Sequence, residues 1–399
     1  MRLSTGLAAL IALTIVPANL SAAEMRGVTS TEIRIGQTMP YSGPVSAFGA
    51  LGKGEVGYFK MLNERGGING RKVNLISLDD SYAPPKTVEQ TRRLVESDEV
   101  ALIFSSIGTA HNTAIAKYLQ GKNIPQLFIG SGASKFSDIA QYPQATMGVQ
   151  APFRYEARLY ARHALARNPG AKFAVISQND DYGRDYLLGL KDVLGEKYDS
   201  VVTGATYEIQ DPTIDSQIVK LKASGADVFV IAATPKFAAQ AIRKAYEIGW
   251  RPLTFLSNVA VWISTVMEPA GVEAGTGIIS TAYVKDPDDP AWKDDPGVKA
   301  WREFMLKYVP DGDLHDTNYV NSYNSAMALE AVLKACGNDL STENILKQAY
   351  AIKDLELPML LPGIKVNTSP SDHVPVDQMQ FMRFNGKTWE RFGELLTGN

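Results

Sequence analysis

A glycine-rich stretch follows the first strand-like run of the chain and has the composition of a phosphate-binding loop. The stretch, MPYSGPVSAFGALGKGEVGYF, covers residues 39–59 and comes after the apolar run IRIGQT. A strand, glycines and a helix in this order cradle phosphate in nucleotide-binding proteins. The spacing fits neither known pattern: Ala47 stands where a P-loop needs glycine before Gly52-Lys53, and GALGKG reverses the dinucleotide fingerprint. The loop is therefore expected to bring its backbone close to a ligand other than phosphate, or to form a tight turn.

The histidines and acidic pairs do not form a recognisable catalytic or metal site. The four histidines are His111, His163, His315 and His373. They lack metal-ligand spacing, and the sequence has no H-E-x-x-H, C-x-x-C or G-x-S-x-G motif. Asp79-Asp80 and Asp180-Asp181 follow predicted strands, where capping and turn roles are the commoner use. The sequence therefore indicates a protein that is not an enzyme and needs no metal or other cofactor.

Two successive sets of alternating strands and helices are predicted to position these loops. Apolar runs such as VNLISLD (73–79) and ALIFSS (101–106) alternate with helical patterns in the first set. After Ala151 the alternation restarts with AKFAVIS (171–177) and ADVFVIAA (226–233). Unbroken apolar runs between helices are typical of parallel sheets covered on both faces. The sequence therefore predicts an α/β fold with two doubly wound, Rossmann-like lobes.

The last third of the chain has a different organisation. A Pro/Asp-rich loop, DPDDPAWKDDP, is followed by helical patterns around KAWREFMLKYV and NYVNSYNSAMALEAVLKAC. Residues 378–389 then read as two short strands around the turn Asn385-Gly386. A chain that completes two lobes and then adds helices and a hairpin is expected to cross between the lobes more than once.

The loops after the predicted strands are the candidate ligand site, because open α/β sheets bind ligands there. In the first lobe these loops, SSIGTAH and GSGAS, are small, hydroxyl-bearing and rich in glycine. Thr109 stands at a helix start, where free N–H groups and the helix dipole favour a carboxylate; its alternative role is a simple helix cap. Phe48 and Tyr182 adjoin glycines in turn-like sequence and are expected to form aromatic walls. Trp262 and Trp292 are assigned to packing or to the surface.

The N-terminus has the features of a cleaved export signal. Arg2 precedes an apolar core over residues 7–16, and Ser21-Ala22-Ala23 predicts cleavage after Ala23, with an uncleaved anchor as the alternative. The apolar core is shorter than the roughly 20 residues of a membrane span, so the mature chain is not expected to be embedded in a membrane. The chain has 40 basic and 43 acidic residues, a net charge of −3. Without a basic tract, nucleic acid is not expected as a partner.

Several segments together resemble one known family. IRIGQTMPYSGPVSAFG, the run NERGGINGRKVNLISLDDSYAPPKTVEQTRRLVESDEVALIFSSIGT, NDDYGRDY and FAAQAIRKAYEIGW are similar to the branched-chain-amino-acid-type periplasmic binding proteins of ABC transporters. The resemblance covers nearly all of the chain after the signal. It implies a type I fold of two lobes joined by three crossovers that close on a ligand by hinge bending. It also implies a periplasmic location, an inner-membrane ABC permease as partner, and a monomer.

The resemblance divides the chain as follows. Residues 1–23 are the signal peptide, residues 24–148 with about 280–362 form lobe 1, and residues 149–279 with about 363–399 form lobe 2. The single cysteine, Cys336, excludes an intrachain disulfide. The family's disulfide is accordingly absent, since Tyr82 and Gly108 occupy its apparent positions.

The strand-end loops and the resemblance together give nine candidate ligand-binding residues. They are Phe48, Ser106, Gly108, Thr109, Gly130, Gly132, Tyr182, Thr234 and Asn258. The resemblance places the carboxylate at Thr109 and the small-residue loop at Gly130 to Gly132. The acid that pairs with an amino acid's ammonium group should fall near Asn258 or Val259, where the sequence has none. A buried ammonium without a counter-charge costs several kcal/mol.

The expected ligand is therefore a small carboxylate with an apolar or aromatic body. NVAVW, DPDDPAWKDDPG and LELPMLLPGIKVNTSPSDH resemble a branch associated with aromatic carboxylates. An amino acid remains the alternative if Asp180, Asp181 or an acid of the DPDDP loop reaches the ligand. A second alternative is a sensor of the same fold, because nothing in the sequence separates delivery from signalling.

Overall fold

Two sheets with helices on their faces make up the part of the chain that the structure describes. The computed structural model describes residues 25–398, so the predicted signal peptide lies outside the described residues. Within this range no helix combines the length and hydropathy needed to cross a membrane. The first sheet has the strand order β2-β1-β3-β4-β5, and the second has the order β12-β11-β10-β9-β8-β6-β7.

The strands have the following bounds. They are β1 (Glu32–Met39), β2 (Lys72–Asp79), β3 (Ile103–Phe104), β4 (Gln126–Ile129), β5 (Ala145–Met147), β6 (Phe173–Gln178), β7 (Val202–Tyr207), β8 (Val228–Ala232), β9 (Leu253–Leu256), β10 (Ile279–Ala282), β11 (Gln378–Phe384) and β12 (Trp389–Thr397). All neighbours in the first sheet run parallel. In the second sheet β6 to β10 are parallel, and β11 and β12 add an antiparallel edge.

The helices have the following bounds. They are α1 (Gly49–Glu64), α2 (Pro84–Glu96), α3 (Thr109–Gly121), α4 (Phe153–Arg167), α5 (Asp181–Leu194), α6 (Tyr198–Val201), α7 (Asp215–Ala223), α8 (Pro235–Glu247), α9 (Glu268–Ala270), α10 (Val272–Gly275), α11 (Pro296–Tyr308), α12 (Asn318–Ala335) and α13 (Thr342–Ala349). Short 3-10 turns lie at Ser46–Phe48, Ser134–Ser137, Gly195–Lys197, Asn258–Ala260 and Pro290–Trp292, and a π-helical turn at Ile263–Met267.

The central strands are buried on both faces, as their unbroken apolar runs predict. Every residue of β6 and of β8 is buried. In β3, Ile103 joins the cluster that contains the helix residues Ile115 and Leu119, whereas its neighbour Phe104 joins the main core cluster. Successive side chains of a strand point to opposite faces, so α3 covers one face of the first sheet. The α/β prediction of parallel-sheet lobes is confirmed.

The described chain passes between the sheets three times. The first passage lies between β5 of the first sheet and β6 of the second. The second follows β10, because α11 and α12 pack against α1 on the first sheet. The third precedes β11, which returns to the second sheet. The residue bounds predicted for the lobes remain a proposal.

Predicted elements differ from the observed ones mainly in length. The predicted strand over 101–106 is reduced to Ile103–Phe104, because Ser105 has a positive φ of 51° and leaves the extended conformation. The predicted hairpin is present, and its strands extend to Thr397. The expected turn and capping roles of the acidic pairs are confirmed for Asp79, which accepts the backbone N–H of Ser81 two residues on at 3.0 Å, and for Asp180, which caps α5.

Candidate ligand-binding site

Seven of the nine predicted site residues line one cavity between the two sheets. They are Phe48, Gly108, Thr109, Gly130, Tyr182, Thr234 and Asn258. Each follows the carboxyl end of a parallel strand, which is where open α/β sheets bind ligands. The centres of water molecules can occupy a volume of about 90 Å³ in this cavity. One bound water needs roughly 10–15 Å³ on this measure, so the space suits several waters or a small organic molecule.

The start of α3 presents hydrogen-bond donors to this cavity. Thr109 is the first helical residue, and the preceding Gly108 provides no side-chain cap. The first N–H groups of a helix have no partner within the helix. The Thr109 and Ser131 hydroxyls, which both line the cavity, are hydrogen-bonded to each other at 2.7 Å. Free N–H groups, a positive helix end and two hydroxyls together suit a carboxylate.

Gly108 is required by the backbone at this helix start. Its φ is +107°, a conformation that side chains disfavour. A Cβ atom at this position would also lie 2.3 Å from Nδ1 of His111. Glycine therefore allows the chain to turn into α3 beside the buried imidazole of His111.

Two predicted residues, Ser106 and Gly132, lie outside the cavity lining. The Ser106 hydroxyl accepts a backbone N–H of β1 at 2.9 Å and so faces into the sheet. A Cβ atom on Gly132 would meet the side-chain amide of Gln150 at 2.8 Å, which places Gly132 behind the wall. Their neighbours Ser105 and Ser131 line the cavity instead. Both predicted loops therefore reach this cavity, through residues one position away from those predicted.

The second sheet contributes a wall whose polar groups are mostly occupied. Asp180 accepts the backbone N–H groups of Tyr182 and Gly183 at 3.0 and 3.3 Å, so the start of α5 already holds a carboxylate. The Thr234 hydroxyl is hydrogen-bonded to the Tyr207 hydroxyl at 3.1 Å. The buried Tyr182 hydroxyl, in contrast, has no hydrogen-bond partner among the described residues. Among these groups, Tyr182 is the one left to donate to a ligand.

A buried acid lies directly behind the cavity wall. Glu156 on α4 accepts hydrogen bonds from the hydroxyls of Tyr160, Tyr186 and Thr281 and from the backbone N–H of Asn258 at 3.1 Å. Burial raises the pKa of Glu156 to about 7, while these hydrogen bonds act in the opposite direction. The helical pattern around Glu156 gave no sign of this role, since the acid precedes Asn258 by 102 residues. Glu156 holds Asn258 in place but is not part of the lining.

An aromatic contact between the two sheets borders the cavity. The rings of Phe48 and Trp262 meet edge to face with centroids 5.1 Å apart, and both residues line the cavity. Trp262 is buried and packs against Phe48, as its assignment to packing predicts, and it also lines the cavity, which was not expected. Trp292 does lie outside the lining, where Lys285 and Arg391 stack on its ring.

Three non-glycine residues of the lining have left-handed backbone conformations. They are Tyr82, Ser105 and Phe128, with φ of 56°, 51° and 52°. Such conformations cost of order 1 kcal/mol each and cluster at functional sites. The concentration of this strain around one cavity supports its assignment as the functional site.

The lining is aromatic and carries no formal charge. Among the described residues that line the cavity there is no Asp, Glu, Lys, Arg or His. Seven are aromatic: Phe48, Tyr82, Phe128, Phe153, Tyr182, Trp262 and Tyr283. The sequence interpretation missed the polar lining residues Ser131, Gln150, Asn318, Asn321 and Ser325. The spacing of the last three along one predicted helix was the available signal, because such residues share a helix face.

A second, larger cavity adjoins the first. It offers about 450 Å³ to the centres of water molecules and shares Asn258, Trp262, Tyr283 and Asn321 with the first. The acids of the DPDDP loop, Asp286 and Asp288, line this second cavity and not the first. Within residues 25–398, no group of three or more His, Cys, Asp or Glu side chains could hold a metal ion. We assign the ligand to the first cavity because strand ends of both sheets converge there.

Comparisons with known proteins give a consistent family and fold. The sequence matches the family model described as Periplasmic binding protein over residues 32–388. A Leu/Ile/Val-binding protein homolog 7 of Brucella abortus (strain 2308) is 25% identical over 359 residues, which cover 87% of this chain and 86% of that protein. The relatives reported in these comparisons are binding proteins rather than enzymes.

Two solved structures share the fold. One is a branched chain amino acid ABC transporter protein from Thermus thermophilus with bound valine, with a TM-score of 0.81 and 16% identity over 93% of this chain and 97% of that one. The other is a solute binding protein of an ABC transporter from R. palustris in complex with benzoate, with a TM-score of 0.74 and 20% identity over 91% of this chain and 96% of that one. Proteins of this one fold thus bind two chemically different ligands, valine and benzoate.

Proposed function

The chain belongs to the periplasmic binding protein family, and from this premise we propose that it captures a small aromatic or hydrophobic carboxylate for an ABC importer. The ligand lies in the cavity between the sheets, and the two lobes close on it by bending at the crossovers. The observation that carries this proposal is the combination of an uncapped start of α3 with a lining that has no charged side chain.

The start of α3 is the proposed site of the carboxylate. The free N–H groups and the hydroxyls of Thr109 and Ser131 converge on the cavity from the first lobe. Charge-assisted hydrogen bonds of this kind contribute roughly 1.5–3 kcal/mol each. The start of α5 is a poor alternative, because the Asp180 carboxylate already accepts its N–H groups.

The rest of the lining suits an uncharged, aromatic body. Rings from both lobes, including Phe48 and Trp262, surround the space. An α-amino acid would bring an ammonium group into a lining that has no acid among its described residues. Glu156 does not fill this role, because both its oxygens already accept hydrogen bonds and the Asn258 backbone lies in front of it.

A branched-chain amino acid is the second candidate ligand. The name of the Brucella relative and the valine in the Thermus thermophilus structure favour it. The two candidates differ in one chemical group, the ammonium, so paired ligands separate them. Isovalerate and valine share a branched carbon skeleton and a carboxylate, and only valine carries the ammonium.

A thermal-shift and calorimetric screen tests the proposal. A ligand that binds only the folded protein raises its melting temperature by mass action. We expect aromatic acids to give the largest shifts and isovalerate to bind more tightly than valine. A larger shift with leucine or valine would refute the carboxylate-only assignment.

Thr109→Val tests the position of the carboxylate. Loss of the hydroxyl should weaken binding of the best acid by roughly 10-fold to 100-fold, since 1.4 kcal/mol corresponds to tenfold. Thr113→Val is the matched control, because the Thr113 hydroxyl bonds to the Thr109 carbonyl at 2.9 Å on the same helix and lies outside the lining. Equal affinities of the two variants would remove Thr109 from the site.

We further propose a periplasmic location and an inner-membrane ABC permease as partner, which is the usual setting of such proteins. The predicted cleavage after Ala23 lies outside the described residues. Mass spectrometry of the protein from the periplasmic fraction would give its N-terminal residue. Loss of uptake of the bound acid on deletion of the gene would support delivery, whereas retained uptake would favour a sensor.

A further inference from the structure

A buried carboxyl lies directly behind the lining of the candidate ligand cavity, on the side of the first lobe. Glu55 of α1 is fully buried, and its Oε2 accepts a hydrogen bond from Nε2 of Gln37 in β1. Its other oxygen, Oε1, has no hydrogen-bond partner among the described residues. The hydroxyl of Ser105, which lines the cavity directly after β3, is close enough to this carboxyl to lower its pKa. A ligand in the cavity is therefore separated from Glu55 by one side chain.

The hydrogen bonds around Gln37 determine which oxygen of Glu55 can carry a proton. The Ser77 hydroxyl, which lies 2.6 Å from the Tyr41 hydroxyl, donates to Oε1 of Gln37 at 2.7 Å. Nε2 of Gln37 also approaches the carbonyl oxygen of Phe104 at 3.4 Å, as expected of a donor. The amide nitrogen of Gln37, and not its oxygen, therefore points to Oε2 of Glu55. A proton bound to Glu55 must then lie on Oε1.

Burial favours the neutral form of Glu55. It raises the pKa of Glu55 to about 8, while the Ser105 hydroxyl and the Gln37 amide act in the opposite direction. At pH 7 the side chain is therefore mostly a carboxylic acid, which can donate one hydrogen bond. Above pH 8 it is mostly a carboxylate, which can only accept. A hydroxyl both donates and accepts, so the Ser105 hydroxyl can partner either form by turning its proton.

The other titratable groups near Glu55 keep their charge over the same range. Tyr41, after β1, has its pKa raised by burial to about 12, and the pKa of Asp79, at the end of β2, is held low by hydrogen bonds. From α12, Tyr319 approaches the adjoining turn of α1, and burial raises its pKa to about 12. Lys53, on α1 itself, is exposed. Of these acidic groups, Glu55 alone has its pKa between 7 and 9.

We propose that Glu55 is a positioning residue of the ligand site, which as a neutral acid donates to the Ser105 oxygen, so that the Ser105 hydroxyl donates to an oxygen of the ligand. When Glu55 is ionised, the Ser105 hydroxyl donates to Glu55 instead and turns a lone pair towards the ligand, beside a buried negative charge. Both changes disfavour an anion. The inference rests on the proposed function, because it assumes that a carboxylate binds in this cavity. Affinity for that carboxylate should then fall as the pH rises through about 8.

Isothermal titration calorimetry of benzoate and isovalerate at pH 7 and pH 9 tests the inference. Both acids stay ionised in this range, so a change in their affinity reports on the protein. We expect the wild-type Kd to rise by up to about tenfold, because the share of neutral Glu55 falls by about that factor. Binding at pH 9 should also take up a proton, which is measured by repeating the titration in buffers of different ionisation enthalpy. Glu55→Gln can still donate to Ser105 and accept from Gln37, and should keep its pH 7 affinity at pH 9.

Ser105→Ala separates positioning from a merely structural role of Glu55. At pH 7 it should weaken binding equally in the wild-type and Glu55→Gln backgrounds. At pH 9 it should weaken binding less in the wild-type background, where the Ser105 hydroxyl already points away from the ligand. Glu64→Gln is the matched control, because Glu64 is exposed on the same helix and lies outside the lining, and it should keep the wild-type pH profile. Glu156, whose pKa burial raises to about 7, is common to all these proteins and cancels in the comparisons.

The remaining outcomes separate this inference from the proposed function. A wild-type Kd that is the same at pH 7 and pH 9, or the same pH dependence in Glu55→Gln, would overturn the role of Glu55 and leave the carboxylate receptor standing. Melting curves check that the variants fold. If Glu55→Gln does not fold, Ser105→Ala alone decides, since full wild-type pH dependence without the Ser105 hydroxyl would overturn the inference. Binding of neither acid at either pH would overturn the proposed function and the inference with it.

Discussion

Glu156 should make the stability of the protein depend on pH, and a single substitution should remove that dependence. The side chain is fully buried, and its hydrogen-bond partners are three hydroxyls and one backbone N–H. Burial raises its pKa from 4.5 to about 7. Below pH 4.5 the carboxyl is protonated in both the folded and the unfolded chain, so it does not make the free energy of unfolding depend on pH. As the pH rises towards 7, the unfolded chain releases this proton while the folded chain retains it.

The stability contributed by the proton on Glu156 is therefore lost between about pH 4.5 and pH 7. At about 1.4 kcal/mol per pH unit, the full loss is roughly 3 kcal/mol, and most of it falls between pH 5 and pH 8. Glu156→Gln stays neutral throughout this range. Its amide can keep the contacts, because the Tyr186 hydroxyl can donate to Ser257, 2.6 Å away, and accept from the new N–H group.

Urea unfolding at pH 5 and pH 8 measures the effect. The wild-type free energy of unfolding should fall by roughly 2–3 kcal/mol more between these values than that of Glu156→Gln. Other buried acids, such as Glu55 with a pKa raised by burial to about 8, affect both proteins alike and cancel in the difference. The exposed Glu196→Gln serves as control and should match the wild type. Equal pH dependence in wild type and Glu156→Gln would show that the carboxyl does not titrate in this interval.

Three further predictions concern the cavity and the core. Gly108→Ala should destabilise the fold by more than 1–2 kcal/mol in urea unfolding and weaken ligand binding, since the new Cβ meets His111 at a positive φ; wild-type stability would contradict the strain. Trp262→Ala should leave the fold intact and weaken ligand binding measured by calorimetry, because the edge contact with Phe48, of the kind worth about 0.5–1.5 kcal/mol, is lost; unchanged affinity would argue against a role in closure. Cys336 is 5% exposed and burial raises its pKa to about 12, so iodoacetamide at pH 8 should label it only after unfolding, as mass spectrometry would show; rapid labelling of the native protein would be the opposite result.

The sequence was sufficient for the fold and for the loops that line the cavity, but not for contacts between distant segments. Unbroken apolar runs in the sequence predict buried parallel strands. The topology of an open α/β sheet then places a ligand site at the carboxyl ends of these strands. Which serine of a loop faces the cavity depends on single backbone angles, as the exchange of Ser106 for Ser105 shows. The contact of Phe48 with Trp262 depends on how two lobes meet, which no local pattern encodes. The role of Glu156 was not predicted for the same reason, because its partner Asn258 lies 102 residues away in the chain.

The contacts between the lobes also bear on how a ligand controls closure. Lys135 and Asp181 form an ion pair at 2.6 Å across the cleft, and the Ser134 hydroxyl donates to Asp185 at 2.7 Å. Both partners of the ion pair are about one quarter exposed, and such pairs contribute only about 0–1 kcal/mol. A ligand shifts a conformational equilibrium only by its difference in affinity for the two states.

Under the proposed function, the ligand's contacts with both lobes are expected to supply most of the preference for the closed form. A ligand held only at the start of α3 would contact the first lobe alone and would not favour closure of the two lobes. Tyr182 and Trp262 of the second lobe line the same cavity, and we propose that contact of the ligand with these two side chains couples binding to closing. An acid too short to reach these rings should therefore bind weakly and leave the cleft open, even with its carboxylate fully hydrogen-bonded.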